Sequence, residues 1–311
     1  MTSRFTTARS VDCLMPDGLH SALVPHSDEA AEIAHLALVL FAGGTLIFAA
    51  VVALAVLALR RRPAWLAHDR VVAWGGIVVP VVLLTALLVY AARAATPAGG
   101  DEVLRVRVVA QQWWWRVHYA DDATGAAFET ANEIRLPVGR RVELALESVD
   151  VLHSFWVPSL AGKLDMVPGR VNRLRITPTG EGTFRGQCAE YCGGPHARMA
   201  LFVVTMPPAA FERWRELQRM PASRTHALFE ARCSVCHAVR GTLSRGSLGP
   251  DLTHVASRVS IGAGMLAADR NGFSGWIAHN QSMKPGNLMP AFDDLPASDL
   301  DALADYLEAL Q

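Results

Sequence analysis

The chain of 311 residues has no surplus charge: 29 Lys+Arg against 29 Asp+Glu leave a formal net charge of +0 at pH 7, which gives no sign of a nucleic-acid partner. Its first thirty residues lack an apolar core long enough for an ordinary secretory signal, so export is expected to be directed by a membrane span or from an upstream start. Ser10-Val-Asp, before Cys13, makes no convincing lipoprotein cleavage box, and Cys13 is left without a role. Internal repeats and low-complexity tracts are absent, which excludes a solenoid. Cysteine is sparse, at 5 residues, and the four others fall in two short motifs.

Two apolar runs are present, from about Ala34 to Leu59 and from about Val71 to Ala92. Each exceeds the roughly 20 residues that cross a bilayer, and together they predict a membrane hairpin. The loop between them holds Arg60, Arg61, Arg62 and Arg70. Short basic loops stay in the cytoplasm, so both termini are expected to face outward. After a Pro/Gly hinge at residues 97 to 100 the period changes. Val103–Val109 and Ile134–Val138 alternate apolar and polar positions, and β-rich runs follow at Arg141–Leu146, Val171–Ile176 and Ala200–Val204, predicting a β-sandwich. In a strand, Trp113 and Trp115 would share one face and Trp114 the other. Pro207 to about Arg219 reads as a short helix leading to a linker near Met220–Ser223. From Thr225 the pattern is helical, ending in a helix with Ser298 as N-cap and Leu300, Leu303, Leu307 and Leu310 on one face.

The run Cys188-Ala-Glu-Tyr-Cys192-Gly-Gly-Pro-His196-Ala-Arg-Met199 gathers two thiols, an imidazole and a thioether in one loop. Thiolate, thioether and imidazole together select copper, whereas structural zinc wants four Cys or His ligands and has little use for Met. A disulfide or thiol redox pair is the plainer reading of Cys188 and Cys192. A membrane-anchored copper chaperone also carries Cys-x-x-x-Cys, but keeps its His well downstream. Further upstream, Asp150-Val-Leu-His153 offers one more imidazole. A second centre is indicated by Cys233-Ser-Val-Cys236-His237, the attachment signature of a c-type haem, with thiols for the vinyl groups and an adjacent His for iron. Cys-x-x-Cys alone could be a zinc half-site, but no second half-site exists. The sixth iron ligand is sought among Met265, Met283 and Met289. Met289, in the Pro-rich run Lys284-Pro-Gly-Asn-Leu-Met289-Pro, is preferred, with Met283 in reserve.

His153, Cys188, Glu190, Cys192, His196 and Met199, with Gln112-Trp113-Trp114-Trp115 and Val157–Arg170, resemble the binuclear copper A centre of subunit II of the haem–copper cytochrome c oxidases. The resemblance covers most of residues 30 to 205. It implies that Cys188 and Cys192 bridge two coppers, that His153 and His196 bind one copper apiece, and that Met199 and the Glu190 carbonyl are weak outer ligands. It also implies that the Glu190 carboxylate faces a magnesium at the contact with subunit I, and that Trp113 admits electrons near the copper surface. The Met289 loop and Gly249-Pro250 resemble class I cytochromes c, in which the proline carbonyl accepts the His ring proton.

The expected protein is thus a multidomain membrane protein of the caa type. It has an extracytoplasmic segment at 1–33, a two-helix hairpin at 34–95, an all-β cupredoxin-like Greek-key sandwich at 96–220 and an all-α class I cytochrome c domain at 221–311. It would relay electrons from a soluble or membrane cytochrome c, or another respiratory complex, to subunit I, in a bacterial inner membrane with both ends in the periplasm. Nitrous oxide reductase shares the copper ligand set but needs a many-His cluster that these 11 His do not form. A tethered metallochaperone is the nonenzymatic alternative. One feature departs from the family. Val71 stands three residues before Trp74, where many members carry a Glu at the mouth of a proton path, so that entrance is expected on subunit I rather than at His68 or Asp69.

Overall fold

The computed structural model describes residues 21–61, 63–94, 104–120 and 127–311; Cys13 and the expected hinge at 97–100 lie outside them. The chain divides into two compact units, residues 31–101 and the remainder.

The first unit is the helical hairpin. Helix α1 (Asp28–Arg61) starts earlier than the apolar run suggests, with Asp28 and Glu29 in its first turn and Arg60 and Arg61 in its last, complementing the helix dipole. The second arm comprises α2 (Asp69–Ala73), a π-helical turn (Trp74–Val78) and α3 (Val79–Ala94). Pro80 has no N–H to give the preceding turn, and the adjacent Gly75-Gly76 resists distortion least, which accounts for the wider turn there. Both arms reach a mean hydropathy of 2.5 over an 18-residue window and are long enough to cross a membrane. His35 Nδ1 lies 3.1 Å from the Tyr90 hydroxyl, a polar link between the arms.

The second unit opens with ten strands: β1 (Leu104–Gln111), β2 (Trp114–Ala120), β3 (Ala127–Ala131), β4 (Glu133–Pro137), β5 (Val142–Ser148), β6 (His153–Trp156), β7 (Leu164–Met166), β8 (Asn172–Ile176), β9 (Gly182–Cys188) and β10 (Ala200–Met206). They form two five-stranded sheets, ordered β3-β2-β1-β5-β8 and β4-β10-β9-β6-β7, a cupredoxin-like sandwich. Alternating residues such as Val106, Val108, Leu144, Leu146, Ile134 and Leu136 fill the space between them. The expectation for the tryptophans changes. Strand β2 begins at Trp114, so Trp113 lies in the turn before it rather than on a face shared with Trp115. Trp115 is fully buried against Phe155, at 5.9 Å and edge-on. Before α1, the chain adds a further edge to the sandwich. His26 N donates to Ser159 O at 2.8 Å, Thr179 N donates to His26 O at 3.0 Å, and Ser27 bridges to Pro178.

Helix α4 (Pro208–Arg219) covers one end of the sandwich, seating Phe211 and Trp214 against Tyr119 and Phe128. Beyond it lie α5 (Ala227–Arg232), a two-residue ladder of β11 (Ser260–Ile261) with β12 (Leu266–Ala267), α6 (Arg270–Met283) and α7 (Ala297–Glu308). Leu303, Leu307 and Leu310 are buried, as their spacing predicts, and Leu300 is partly so. The N-cap is Pro296, not Ser298. Its ring fixes φ at −56° and sets the start two residues earlier than the hydroxyl suggests.

The helical part is seated on the sandwich through specific contacts. Arg116 and Arg135 donate to the carbonyls of Ser247 and Ser257 at 2.7 and 2.6 Å, and Val259 N donates to a Glu133 carboxylate oxygen at 2.6 Å. Ala200 N donates to Ala263 O at 3.0 Å. At Gly264, where φ is +81°, a Cβ would come within 2.8 Å of the Ala200 methyl. Only glycine allows this approach.

Candidate metal and haem sites

Strand pairing assembles the copper loop. His153 starts β6, and Cys188 ends β9 opposite Phe155 of the same strand. The loop from 188 to 199 is closed at its neck by Cys188 N donating to Met199 O at 2.9 Å, and is tied to β6 by Ala189 N donating to Ser154 O at 2.9 Å. His153, Cys188, Cys192 and Met199 are all buried, and His196 is half-buried.

The donor atoms are already close. The two sulfurs lie 3.7 Å apart, Cys188 Sγ is 3.8 Å from His153 Nδ1 and 3.2 Å from Glu190 O, and Cys192 Sγ is 3.5 Å from His196 Nδ1 and 3.9 Å from Met199 Sδ. A disulfide needs about 2.05 Å, so these are free thiols. Soft sulfur flanked by two imidazole nitrogens and a thioether suits copper, and all six sequence-predicted ligands converge here. The hydrogen bond to Cys192 holds the Cys188 thiol down at about 3, and the same contact with burial drives Cys192 strongly up: the pair shares one proton. Burial opposes charge on His153, but its contacts with Cys188 and Asp150 outweigh it and raise its pKa.

Asp150, three residues before His153, proves to be a structural partner. Its carboxylate lies 2.9 Å from His153 Nε2, leaving Nδ1 toward the sulfurs, and accepts from Gln112 N at 2.6 Å. The Glu190 residue is divided in function. Its carbonyl faces Cys188, while its carboxylate lies 3.5 Å from Lys163 Nζ.

Around the second motif, Cys233, Cys236, His237, Met289, Trp276 and Trp113 line a largely apolar cavity of about 400 Å³. His237 Nδ1 lies 2.9 Å from Pro250 O, as the sequence predicts, leaving Nε2 for iron. A side chain at Gly249 would come within 2.5 Å of the imidazole, so the ring position depends on that glycine. Two thiols, a fixed imidazole and a thioether around an apolar space fit a covalently held haem. Burial raises the Cys233 thiol to about 11 and lowers His237. Among the described residues, Met289 is the methionine on this cavity. Met283 and Met265 pack instead at the edge of the helical core. Asn287 Oδ1 accepts from Met289 N at 2.9 Å and Gln281 Nε2 donates to Met289 O at 2.6 Å, fixing the loop.

Trp113 joins the two sites. Its Nε1 donates to Cys192 O at 2.9 Å, beside Gln112 Nε2 at 2.8 Å. Gly193, at φ +116°, leaves room for the indole, since a Cβ there would sit 3.0 Å from it. The opposite ring edge lies 3.8 Å from where a Cβ on Gly286 of the Met289 loop would stand. Sequence reading placed Trp113 near copper but not in the haem cavity wall, and it missed Lys284, whose ammonium reaches the Trp113 carbonyl.

A family model described as the periplasmic domain of cytochrome c oxidase subunit II matches residues 122–206, and one described as cytochrome c matches residues 222–311. Cytochrome c oxidase subunit 2 of Alkalihalophilus pseudofirmus is 36% identical over 199 residues, covering 61% of this chain and 57% of that protein. The Bacillus subtilis protein of the same name is 30% identical over 255 residues, covering 76% of this chain and 70% of that protein. The chain thus spans a little over half the length of the first of these relatives. Among solved structures, the periplasmic domain of subunit II of cytochrome oxidase of Bradyrhizobium japonicum is 27% identical, covers 39% of this chain and 96% of that one, and superposes with a TM-score of 0.36.

Proposed function

The chain belongs to the cytochrome c oxidase subunit 2 family, and on that footing we propose that it carries single electrons from an external donor to subunit I of a haem–copper terminal oxidase, where oxygen is reduced to water. A covalent haem c and a binuclear copper centre supply the one-electron chemistry when bound. The chain's own residues hold, orient and shield them.

Cys188 and Cys192 would hold the copper pair by sulfur, with His153 and His196 as nitrogen ligands and Met199 and Glu190 O as weaker ones. Asp150 fixes the His153 ring so that Nδ1 is presented. Cys233 and Cys236 would hold the haem covalently, and His237 and Met289 would bind its iron. A His/Met pair gives a high potential, suited to accepting electrons late in a respiratory chain. The Glu190 carboxylate, 3.5 Å from Lys163 Nζ, would take part in a magnesium site with subunit I.

The observation that carries the reading is the position of Trp113, in contact with the copper loop through Cys192 O and with the haem cavity through its ring. Trp113 is the residue through which electrons pass from the haem side to the copper side. Membrane placement follows from the hairpin. His26 and Ser27, just before α1, pair with the sandwich, which supports both ends of the hairpin lying on one side of the bilayer, and the basic loop supports that side being the periplasm. The donor is a cytochrome c or another respiratory complex.

Optical and electron paramagnetic resonance spectra of the purified chain test this directly. Sharp reduced haem c bands and a seven-line copper hyperfine pattern are expected. A four-line pattern, from a single copper, would overturn the binuclear assignment.

A further inference from the structure

We propose that Lys284 is a positioning residue that fastens the Met289 loop to Trp113 and thereby fixes the junction between the haem and copper sites. The inference rests on the relay reading above.

Of the 29 basic residues only Lys163 and Lys284 are lysine. Lys163 is exposed on a loop, whereas Lys284 is 2% exposed. Its ammonium donates to Trp113 O at 2.5 Å and to Gly262 O at 3.2 Å, and among the described residues no carboxylate pairs with it. A buried cation held by carbonyls alone is unfavourable, and an apolar residue of similar volume would be expected to stabilise the fold at least as well. Its retention in a chain that otherwise uses arginine points to geometry. A compact ammonium on a flexible stem can address two convergent carbonyls, which the planar five-donor guanidinium cannot do without leaving donors unmatched.

The backbone of Lys284 completes the connection. Its N–H donates to Asn280 O at 2.8 Å at the end of α6, where a cation also suits the helix dipole. Its carbonyl accepts from Asn287 Nδ2 at 2.8 Å, and Asn287 in turn holds Met289 N. One residue therefore roots the loop bearing the axial ligand and grips the backbone of the indole that touches Cys192 O. A parallel tie runs from Arg198 of the copper loop to the carbonyl of Met283.

The test uses the full chain with both centres loaded, following haem-to-copper electron transfer after photoreduction in Lys284→Met, Trp113→Phe and the double variant. Trp113→Phe keeps the carbonyl that Lys284 grips. Lys284→Met is expected to slow transfer by roughly tenfold, the effect of losing one charge-assisted hydrogen bond at the junction, while the Met-to-iron band, haem potential and near-infrared copper band stay as in the wild type. In the Trp113→Phe background the same change should add little, because Lys284 acts through Trp113. Hydrogen exchange on the haem-loaded, copper-free chain is an independent readout, in which Lys284→Met should speed exchange in both the Trp113 and the Met289 loop peptides. Unchanged exchange in these peptides, additive rate effects, or loss of the Met-to-iron band in Lys284→Met each overturns the proposal. If Trp113→Phe leaves the transfer rate untouched while exchange responds to Lys284→Met, the relay reading fails and the clamp stands.

Discussion

In the copper loop neighbouring donor atoms lie 3.2 to 3.9 Å apart, gathered by β6, β9 and the loop that leads into β10. Around the haem motif, His237 and Met289 stand on separate loops bordering a cavity of about 400 Å³. The first site lies on a complete hydrophobic core, in which Trp115, Phe155 and Phe184 are buried. The second is a core whose centre is the prosthetic group itself. Copper should therefore be a passenger on its domain, and haem a structural component of its own.

The largest test of that contrast removes both haem thiols. Cys233→Ala with Cys236→Ala should leave the sandwich folded and unfold the helical part. Without the haem the apolar residues around this cavity lose the group they pack against. A domain is stable by only roughly 5 to 15 kcal/mol, so that loss is a large fraction of the whole. Urea unfolding followed by circular dichroism should show loss of helical signal with the β signal retained. A helical domain equally stable without haem would remove the distinction.

Cys192→Ser probes the other side. It should abolish the near-infrared copper band and electron delivery to subunit I, leave the haem c spectrum intact, and shift the melting temperature by only a few degrees, since Ser nearly matches Cys in volume and the surrounding core is unchanged. A delocalised copper pair persisting in this variant would refute the ligand assignment.

Why the ligands were legible and the junction was not follows from the same contrast. Cys188 to Met199 and Cys233 to His237 are contiguous runs whose spacing is their chemistry, and Pro250 and Met289 sit in short, distinctive sequence neighbourhoods. Strands β1, β2, β4, β5 and β8 alternate clearly. Others do not: β6 and β7 are only four and three residues long, β9 carries two glycines and β10 is apolar almost throughout, while the turn before β2 takes Trp113 out of register. Docking of the helical part depends on carbonyl acceptors at Ser247, Ser257 and Ala263, which side-chain patterning cannot reveal. The acidic end of the chain, which holds no Lys or Arg after Lys284, meets its cations from upstream: Arg270 pairs with Asp301 and Asp305, and Arg232 with Asp294. This weakens long-range attraction of a basic donor.

A smaller effect separates the methionines of the haem region. Met289→Ala should remove the Met-to-iron absorption band of the oxidised haem and lower its potential. Met283→Ala should do neither, because Met283 lies at the core edge and off the cavity. The potential shift measured by redox titration decides between them, and the reverse result would transfer the ligand role to Met283.

The smallest expected effect concerns pH and the joint between the two regions. Burial pushes the Lys284 ammonium from its ordinary 10.5 down to about 7. In the unfolded chain this lysine keeps its proton to about 10.5, so between these values the unfolded state binds more protons than the folded one, and stability rises with pH across that window. Below about 7 both states are charged and the full burial penalty applies. In the copper-free chain, urea midpoints taken from pH 6.5 to 9 should therefore rise more steeply for the wild type than for Lys284→Met, which has no proton to lose. The copper-free form is the one to use, because a metal in the loop beside Trp113 would change the charge facing Lys284 and move this window. Parallel curves for the two chains would mean that water reaches the ammonium, and that the joint is looser than its hydrogen bonds imply.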